Sequence, residues 1–120
     1  MSIRVVYFRE KDGSAPVLDW LGSLPKTALY KCYDRIERLR ELGHQLRRPE
    51  ADYLRDGIYE LRVRFQTVNY RVLYFFHGRE AAILAHAITK EDEIPTKEIA
   101  LAVERKRRYE LNPAKHTMEE

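Results

Sequence analysis

The chain has 120 residues, 44% of them hydrophobic, and a net charge of +3 from 22 basic against 19 acidic side chains. That length suits one domain with a core of its own. The single cysteine, Cys32, excludes an internal disulfide and a multi-cysteine zinc site, and no apolar run approaches the roughly 18 residues of a membrane helix. The N-terminal residues lack the basic-then-apolar pattern of a signal peptide. A cytoplasmic protein with no membrane partner is expected. The basic residues are fifteen Arg against seven Lys. Arg pairs bidentately with phosphate and with carboxylate, so a face for RNA and a face for an acidic protein both remain open.

Residues 3–8 form a short apolar run and read as a first strand. Lys11-Asp12-Gly13-Ser14 is a turn. Pro16 opens a short helix to Leu24, since proline suits the first helical turn. From Lys26 to Leu42 the apolar residues Leu29, Cys32, Tyr33, Ile36, Leu39 and Leu42 make one helical stripe, and Gly43 is the expected stop. Cys32 lies on that stripe and reads as a small buried apolar residue. Residues 44–55 read as irregular and basic, with Pro49 breaking regular structure.

Two antiparallel strands follow, 58–65 and 69–77. In the first, Tyr59, Leu61, Val63 and Phe65 alternate with Ile58, Glu60, Arg62 and Arg64. The second is apolar on both faces but carries Arg71. Tyr59, Tyr70 and Tyr74 read as core rather than as platforms for bases. After Gly78-Arg79 a fourth strand spans 80–89. His86 shares its parity with Leu84, Ile88 and Lys90. Pro95 opens the last helix, with Ile99, Ala102, Val103 and Tyr109 as its apolar stripe. Arg105 to Arg108 fall in its last turns, where cations suit the helix dipole. The order is strand, helix, helix, three strands, helix: an α+β domain over 1–112 with a mostly antiparallel sheet flanked by helices. Residues 113–120 are expected to fray. The sheet neighbour of the first strand is not fixed by local pattern.

No Gly-rich phosphate loop, paired metal-binding histidines or nucleophile elbow is present. The cluster Arg62, Arg64, Arg71, Lys90 and Lys97 is the candidate chemistry. It could hold a phosphodiester and offset charge that builds on it in a transition state. The plainer reading pairs Arg62 with Glu60 or Asp56 and leaves Arg64 solvated. His86 is either a satisfied core histidine or a proton carrier.

Three stretches carry a resemblance: Gly57-Ile58-Tyr59-Glu60-Leu61-Arg62, then Tyr70-Arg71-Val72-Leu73-Tyr74-Phe75-Phe76, then Lys90 with Pro95 and Lys97-Glu98-Ile99 behind it. With Pro16 to Leu21 and Ala102 to Tyr109, the chain resembles the phage-derived HigB-like branch of the RelE/ParE toxin superfamily from about residue 3 to 110. The resemblance implies a toxin of a bacterial type II toxin–antitoxin pair. It further implies a ribosome-dependent endoribonuclease that cuts mRNA by attack of a ribose 2′-OH on the adjacent phosphate, with no metal or cofactor. Its partners would be the ribosome, mRNA and a neighbouring helix-turn-helix antitoxin. On that reading Arg71 contacts the scissile phosphate. Arg62 is a second phosphate contact or an ion-pair member. Lys90 offsets phosphate charge, His86 carries a proton, and Arg64 and Lys97 touch RNA. Two other readings share the fold: a ParE-like inhibitor of DNA gyrase, and a non-catalytic module that binds only its antitoxin. The sequence departs from the branch at Glu91 and Ile94, where members often have Lys and Ser or Thr. The acidic run 91–93 should weaken RNA attraction there.

Overall fold

The structure of the chain, a computed structural model, describes residues 2–90 and 93–120, with only the backbone of Lys90. It is an α+β fold of three helices and a six-stranded, mostly antiparallel sheet. The strands are β1 (Arg4–Phe8), β2 (Ala51–Arg55), β3 (Ile58–Phe65), β4 (Val68–His77), β5 (Ala81–Lys90) and β6 (Thr117–Met118). The helices are α1 (Pro16–Gly22), α2 (Lys26–Leu42) and α3 (Thr96–Leu111). The sheet order is β2-β3-β4-β5-β1-β6. β1 lies parallel to β5, and the other pairs are antiparallel. The first strand thus reaches the sheet beside the last strand of the meander.

The sheet has a core on each face. Tyr59, Leu61 and Val63 of β3 and Tyr70, Val72 and Tyr74 of β4 pack toward α1 and α2. Helix α2 answers with Ala28, Cys32, Ile36 and Leu39, spaced four, four and three residues apart as one helical face requires. Cys32 is fully buried, and burial pushes its thiol up to about 11, so it is an inert filler. Ile58, Leu73, Phe75 and Ile83 form the smaller core on the opposite face, closed by Ala102 and Tyr109 of α3. The three tyrosines do belong to the packed face, with Tyr70 and Tyr74 buried and Tyr59 only partly so.

Two segments depart from expectation. Residues 51–55, read as irregular, are strand β2. The chain turns from β2 to β3 through Asp56 and Gly57, both at positive φ (51° and 81°). That is what a two-residue hairpin with matching twist requires, and Asp-Gly is its usual sequence. Residues 113–120, expected to fray, are instead tied down. His116 is buried and stacks on Phe8 with ring centres 4.9 Å apart. β6 pairs with β1, and Glu120 accepts hydrogen bonds from Tyr7 (2.8 Å) and Tyr33 (2.6 Å). These contacts cover part of the outer edge of β1, which otherwise would offer unpaired backbone groups.

A chain ending at Asn112 should lose these contacts. At about 1 kcal/mol for each hydrogen bond, plus exposure of Phe8, its melting temperature should fall by roughly 8 °C or more. Unchanged melting of the shortened chain would show that the segment adds nothing to the fold.

Candidate phosphate-binding groove

The α3-facing side of β3 and β4 carries charge inside the sheet. Glu60 is 4% exposed. A buried carboxylate is costly unless ion-paired and hydrogen-bonded. Here Arg62 Nε donates to Glu60 Oε1 at 2.5 Å, and Arg71 Nε lies 3.8 Å from the same oxygen. Arg62 and Arg71 are direct cross-strand partners. Two guanidinium groups opposite each other on one face would repel. The shared carboxylate between them offsets that. Arg62 also donates to Asp52 of β2 at 3.2 Å, and Arg48 pairs with the same carboxylate at 2.8 Å. The Arg48 hydrogen bond holds Asp52 below the usual carboxylate range.

Glu60, Arg62 and Arg71 line a groove of about 250 Å³, bounded by Leu54, Glu93, Ile94 and Ile99. The start of α3 therefore borders the two arginines, and the first turn of a helix favours an anion. Pro95 precedes that helix and makes no side-chain cap. Arg62 keeps 40% of its side chain exposed, Arg71 only 15%. The groove thus has one solvent-facing guanidinium and one set deeper.

The other sequence candidates separate. Arg64 is exposed and lines a different depression, with Lys31, Arg35 and Arg38 of α2. Lys97 is exposed in the first turn of α3. Lys90 ends β5 and pairs with Asn69, two positions along from the pair Arg71 and Ile88. Its side chain lies outside the described residues, as do Glu91 and Asp92 of the acidic run. Glu93 of that run lines the groove. Among the described residues no three His, Cys, Asp or Glu side chains converge as metal ligands.

His86 lies on the same side of the sheet as the arginines, but for a reason the alternation missed. The β4–β5 register shifts between Leu73 and Tyr74, which pair with His86 and Leu84 and leave Ala85 as an extra residue. This bulge reverses the parity. Leu84 therefore packs toward α1 and α2, while Ala85 joins the α3-side core and His86 faces Leu73 of that core. Arg105 Nη1 lies 3.3 Å from His86 Nδ1, and Glu98 Oε2 lies 3.2 Å from Nε2. A guanidinium only donates, so Nδ1 accepts and Nε2 carries the proton toward Glu98. Burial holds His86 below the ordinary imidazole range, against the opposing Glu98 hydrogen bond.

By sequence Arg105 belongs to a basic cluster that suits the helix dipole. Instead it is 9% exposed and central. It donates to the Ala85 carbonyl at 2.8 Å, and its Nε lies 3.3 Å from Glu10. Arg108 reaches Glu10 at 2.8 Å, and its guanidinium stands 5.3 Å from the Phe8 ring centre. The signal was present: Arg105 falls three residues after Ala102 and four before Tyr109, on the buried stripe. Arg107 pairs with Glu104 and Lys106 with Glu110. The basic end of α3 is thus matched by acids of the same chain.

The lowered His86 value has a sign that can be read in solution. Between the ordinary value of 6.5 and its lower folded value, the unfolded chain holds the proton and the folded chain does not. Stability is then lost as pH falls through that window. Between pH 7 and 5, the urea midpoint of the native chain should fall further than that of His86→Gln. Parallel pH profiles would contradict the neutral, doubly bonded imidazole.

A search of curated proteins found no match. A profile for the family described as Phage derived protein Gp49-like (DUF891) matches residues 19–107. That span is about three quarters of the chain and holds Arg62, Arg71, His86, Lys90, Lys97 and Arg105. The chain belongs to this Gp49-like family of phage-derived proteins, a toxin-like family related to the RelE and HigB toxins.

Proposed function

We propose that the chain is the toxin of a bacterial toxin–antitoxin pair and cuts mRNA on the ribosome. The observation that carries this reading is the Arg62–Arg71 pair, opposed across β3 and β4 on one buried carboxylate and open to a groove. Membership of a toxin-like family supports it and implies an antitoxin partner. A helix-turn-helix protein encoded nearby fits that role.

In the proposed reaction a ribose 2′-oxygen forms a bond to the adjacent phosphorus, and the bond from phosphorus to the 5′-oxygen breaks. The proton leaves the 2′-OH and is delivered to the departing 5′-oxygen. The products are a 2′,3′-cyclic phosphate and a free 5′-OH. Negative charge grows on the non-bridging oxygens as the fifth bond forms. Arg71 and Arg62 hold those oxygens, with donors already in place before the reaction. Lys90 adds charge at the end of β5. Lys97 and Arg64 contact neighbouring backbone phosphates. His86 takes a positioning role on this reading, because both its ring nitrogens are engaged. It fixes Glu98 and Arg105, and through them the start of α3 beside the groove.

The modest net charge of +3 fits an enzyme whose grip on RNA comes largely from the ribosome. A free-standing RNA binder would carry a larger unmatched cationic surface.

Arg71→Ala should abolish growth arrest and leave ribosome-bound message uncut. Loss of one charge-stabilising donor at a reacting phosphate costs on the order of 100-fold or more in rate. Arg71→Lys keeps a cation beside Glu60, so it should stay folded yet cleave far more slowly than the native chain. His86→Gln should slow cleavage by about tenfold, the low end of the loss of an orienting partner, and so less than Arg71→Ala. Mapping of message ends after induction reads all three. Arrest and cleavage by Arg71→Ala at native levels would remove this site from the reaction. A DNA-damage response without new message ends would move the activity to gyrase.

A further inference from the structure

The other side of the β2 edge carries a second hollow that the proposed reaction does not use. It holds about 440 Å³ and is lined by Arg47, Arg48, Asp52, Tyr53 and Tyr59, with Leu46 and Ala51. Tyr53 is 53% exposed, one of few large apolar side chains so open. It is nevertheless held. Its ring meets Tyr59 edge-on at 5.0 Å, and its hydroxyl accepts a hydrogen bond from the Gly57 N–H at 3.0 Å. Tyr59 in turn stacks on Tyr74, so the aromatic floor is continuous with the core. Among the described residues Arg47 donates only to the carbonyls of His44 and Leu46, which leaves its charge unmatched by any carboxylate. Arg48 is exposed and shares Asp52 with Arg62.

This hollow is joined to the groove by a row of alternating charges. Arg48, Asp52, Arg62, Glu60 and Arg71 succeed one another around the β2 edge, each pair within ion-pair distance. The two cavities therefore lie along one path, with cations at both ends.

We propose that the hollow is a nucleotide subsite: it stacks one base of single-stranded RNA on Tyr53 and places the flanking phosphate on Arg47 and Arg48. The strand then continues around the β2 edge to the Arg62–Arg71 groove. The inference rests on the proposed function and adds to it a second contact on the message. A pre-set aromatic ring beside guanidinium groups is the arrangement that binds single strands without sequence readout: rings take the base and cations take the backbone. Asp52 and Glu60 are both spent on arginines, and with Glu93 at the groove the path still sets four guanidinium groups, Arg47, Arg48, Arg62 and Arg71, against three carboxylates, so its net charge is positive. That charge suits phosphate. An acidic peptide would match the cations, but would leave the half-open ring and its path to the groove without use.

The test is binding of a fluorescent 12-nucleotide 2′-O-methyl RNA, which cannot be cleaved by 2′-OH attack, to the full chain at low salt. Tyr53→Ala should weaken binding about tenfold, the typical loss of one base–aromatic stack. Tyr53→Phe keeps the ring and should stay within about threefold of native on the same grounds. Arg47→Ala should lower the slope of log affinity against log salt by about 0.7, the value of one single-strand phosphate contact. Thermal melting verifies that each variant is folded. No binding by the native chain, or native affinity and native salt slope in Tyr53→Ala and Arg47→Ala, overturns the subsite. A glutamate–tyrosine copolymer that binds through these residues, while RNA binding is unchanged in both variants, also overturns it and assigns the hollow to a protein partner. These failures differ from failure of the proposed function, in which native chain leaves ribosome-bound message intact while RNA binding still depends on Tyr53.

Discussion

The buried carboxylate of Glu60 sets the terms for the groove. It sits on β3 with 6% of its side chain exposed, on the sheet face whose core is Ile58, Leu73, Phe75 and Ile83. An ion taken out of water costs several kcal/mol unless its partners are well placed. Arg62 and Arg71 provide that placement from adjacent strands. The dependence runs both ways. Without Glu60, two cations would face each other directly across a strand pair. With it, Arg62 is hydrogen-bonded and Arg71 stands at ion-pair distance before any ligand arrives, and donors set in advance are the condition for useful stabilisation of a developing anion. Asp52 extends the same logic to the neighbouring strand, where it ties Arg62 to Arg48.

Helix α3 is held over this face by a second polar group of residues. Arg105 joins the Ala85 carbonyl, the His86 ring and Glu10, while Glu98 meets His86 from the first turns of the helix. The bulge at Ala85 is what brings His86 to this side. One extra residue thus decides whether the imidazole faces α3 or the opposite core. Glu10 collects two guanidinium groups, and the Arg108 hydrogen bond holds its carboxyl below the usual range. The helix start, which borders the arginine groove, is therefore positioned by interactions that reach back to the residues just after β1. Cations that look available in a sequence count, such as Arg105 and Arg108, are already engaged in this clamp.

Much of this was legible from pattern, because alternation and helical stripes report burial directly. The β3 alternation separates Glu60, Arg62 and Arg64 from the apolar set, and the α2 stripe identifies Cys32 as core. The placement of Arg62 beside Glu60 was one of two readings, and packing decided that the acid is Glu60 with Asp52, not Asp56. Other features have weaker local signals. β2 is short and carries Asp52, Arg55 and an exposed Tyr53, so its composition resembles a loop; its strand character comes from pairing with β3. The Asp56-Gly57 dipeptide was the local sign of that hairpin. A bulge has no signature in an Ala-rich strand, so the parity of His86 could not be counted from Leu84. Residues 113–120 are polar and short, and they are ordered by partners more than 80 positions away, including Tyr7, Phe8 and Tyr33.

The central claim is that Glu60 and Arg71 act as one unit in cleavage. A double-mutant cycle tests it: rates of message cleavage on purified ribosomes for the native chain, Glu60→Gln, Arg71→Lys and the double variant, each verified as folded. If Glu60 orients the guanidinium, the two changes are not additive, and Arg71→Lys adds little once Glu60→Gln is present. Rate losses that simply multiply would contradict the account, since the carboxylate and the arginine would then contribute independently.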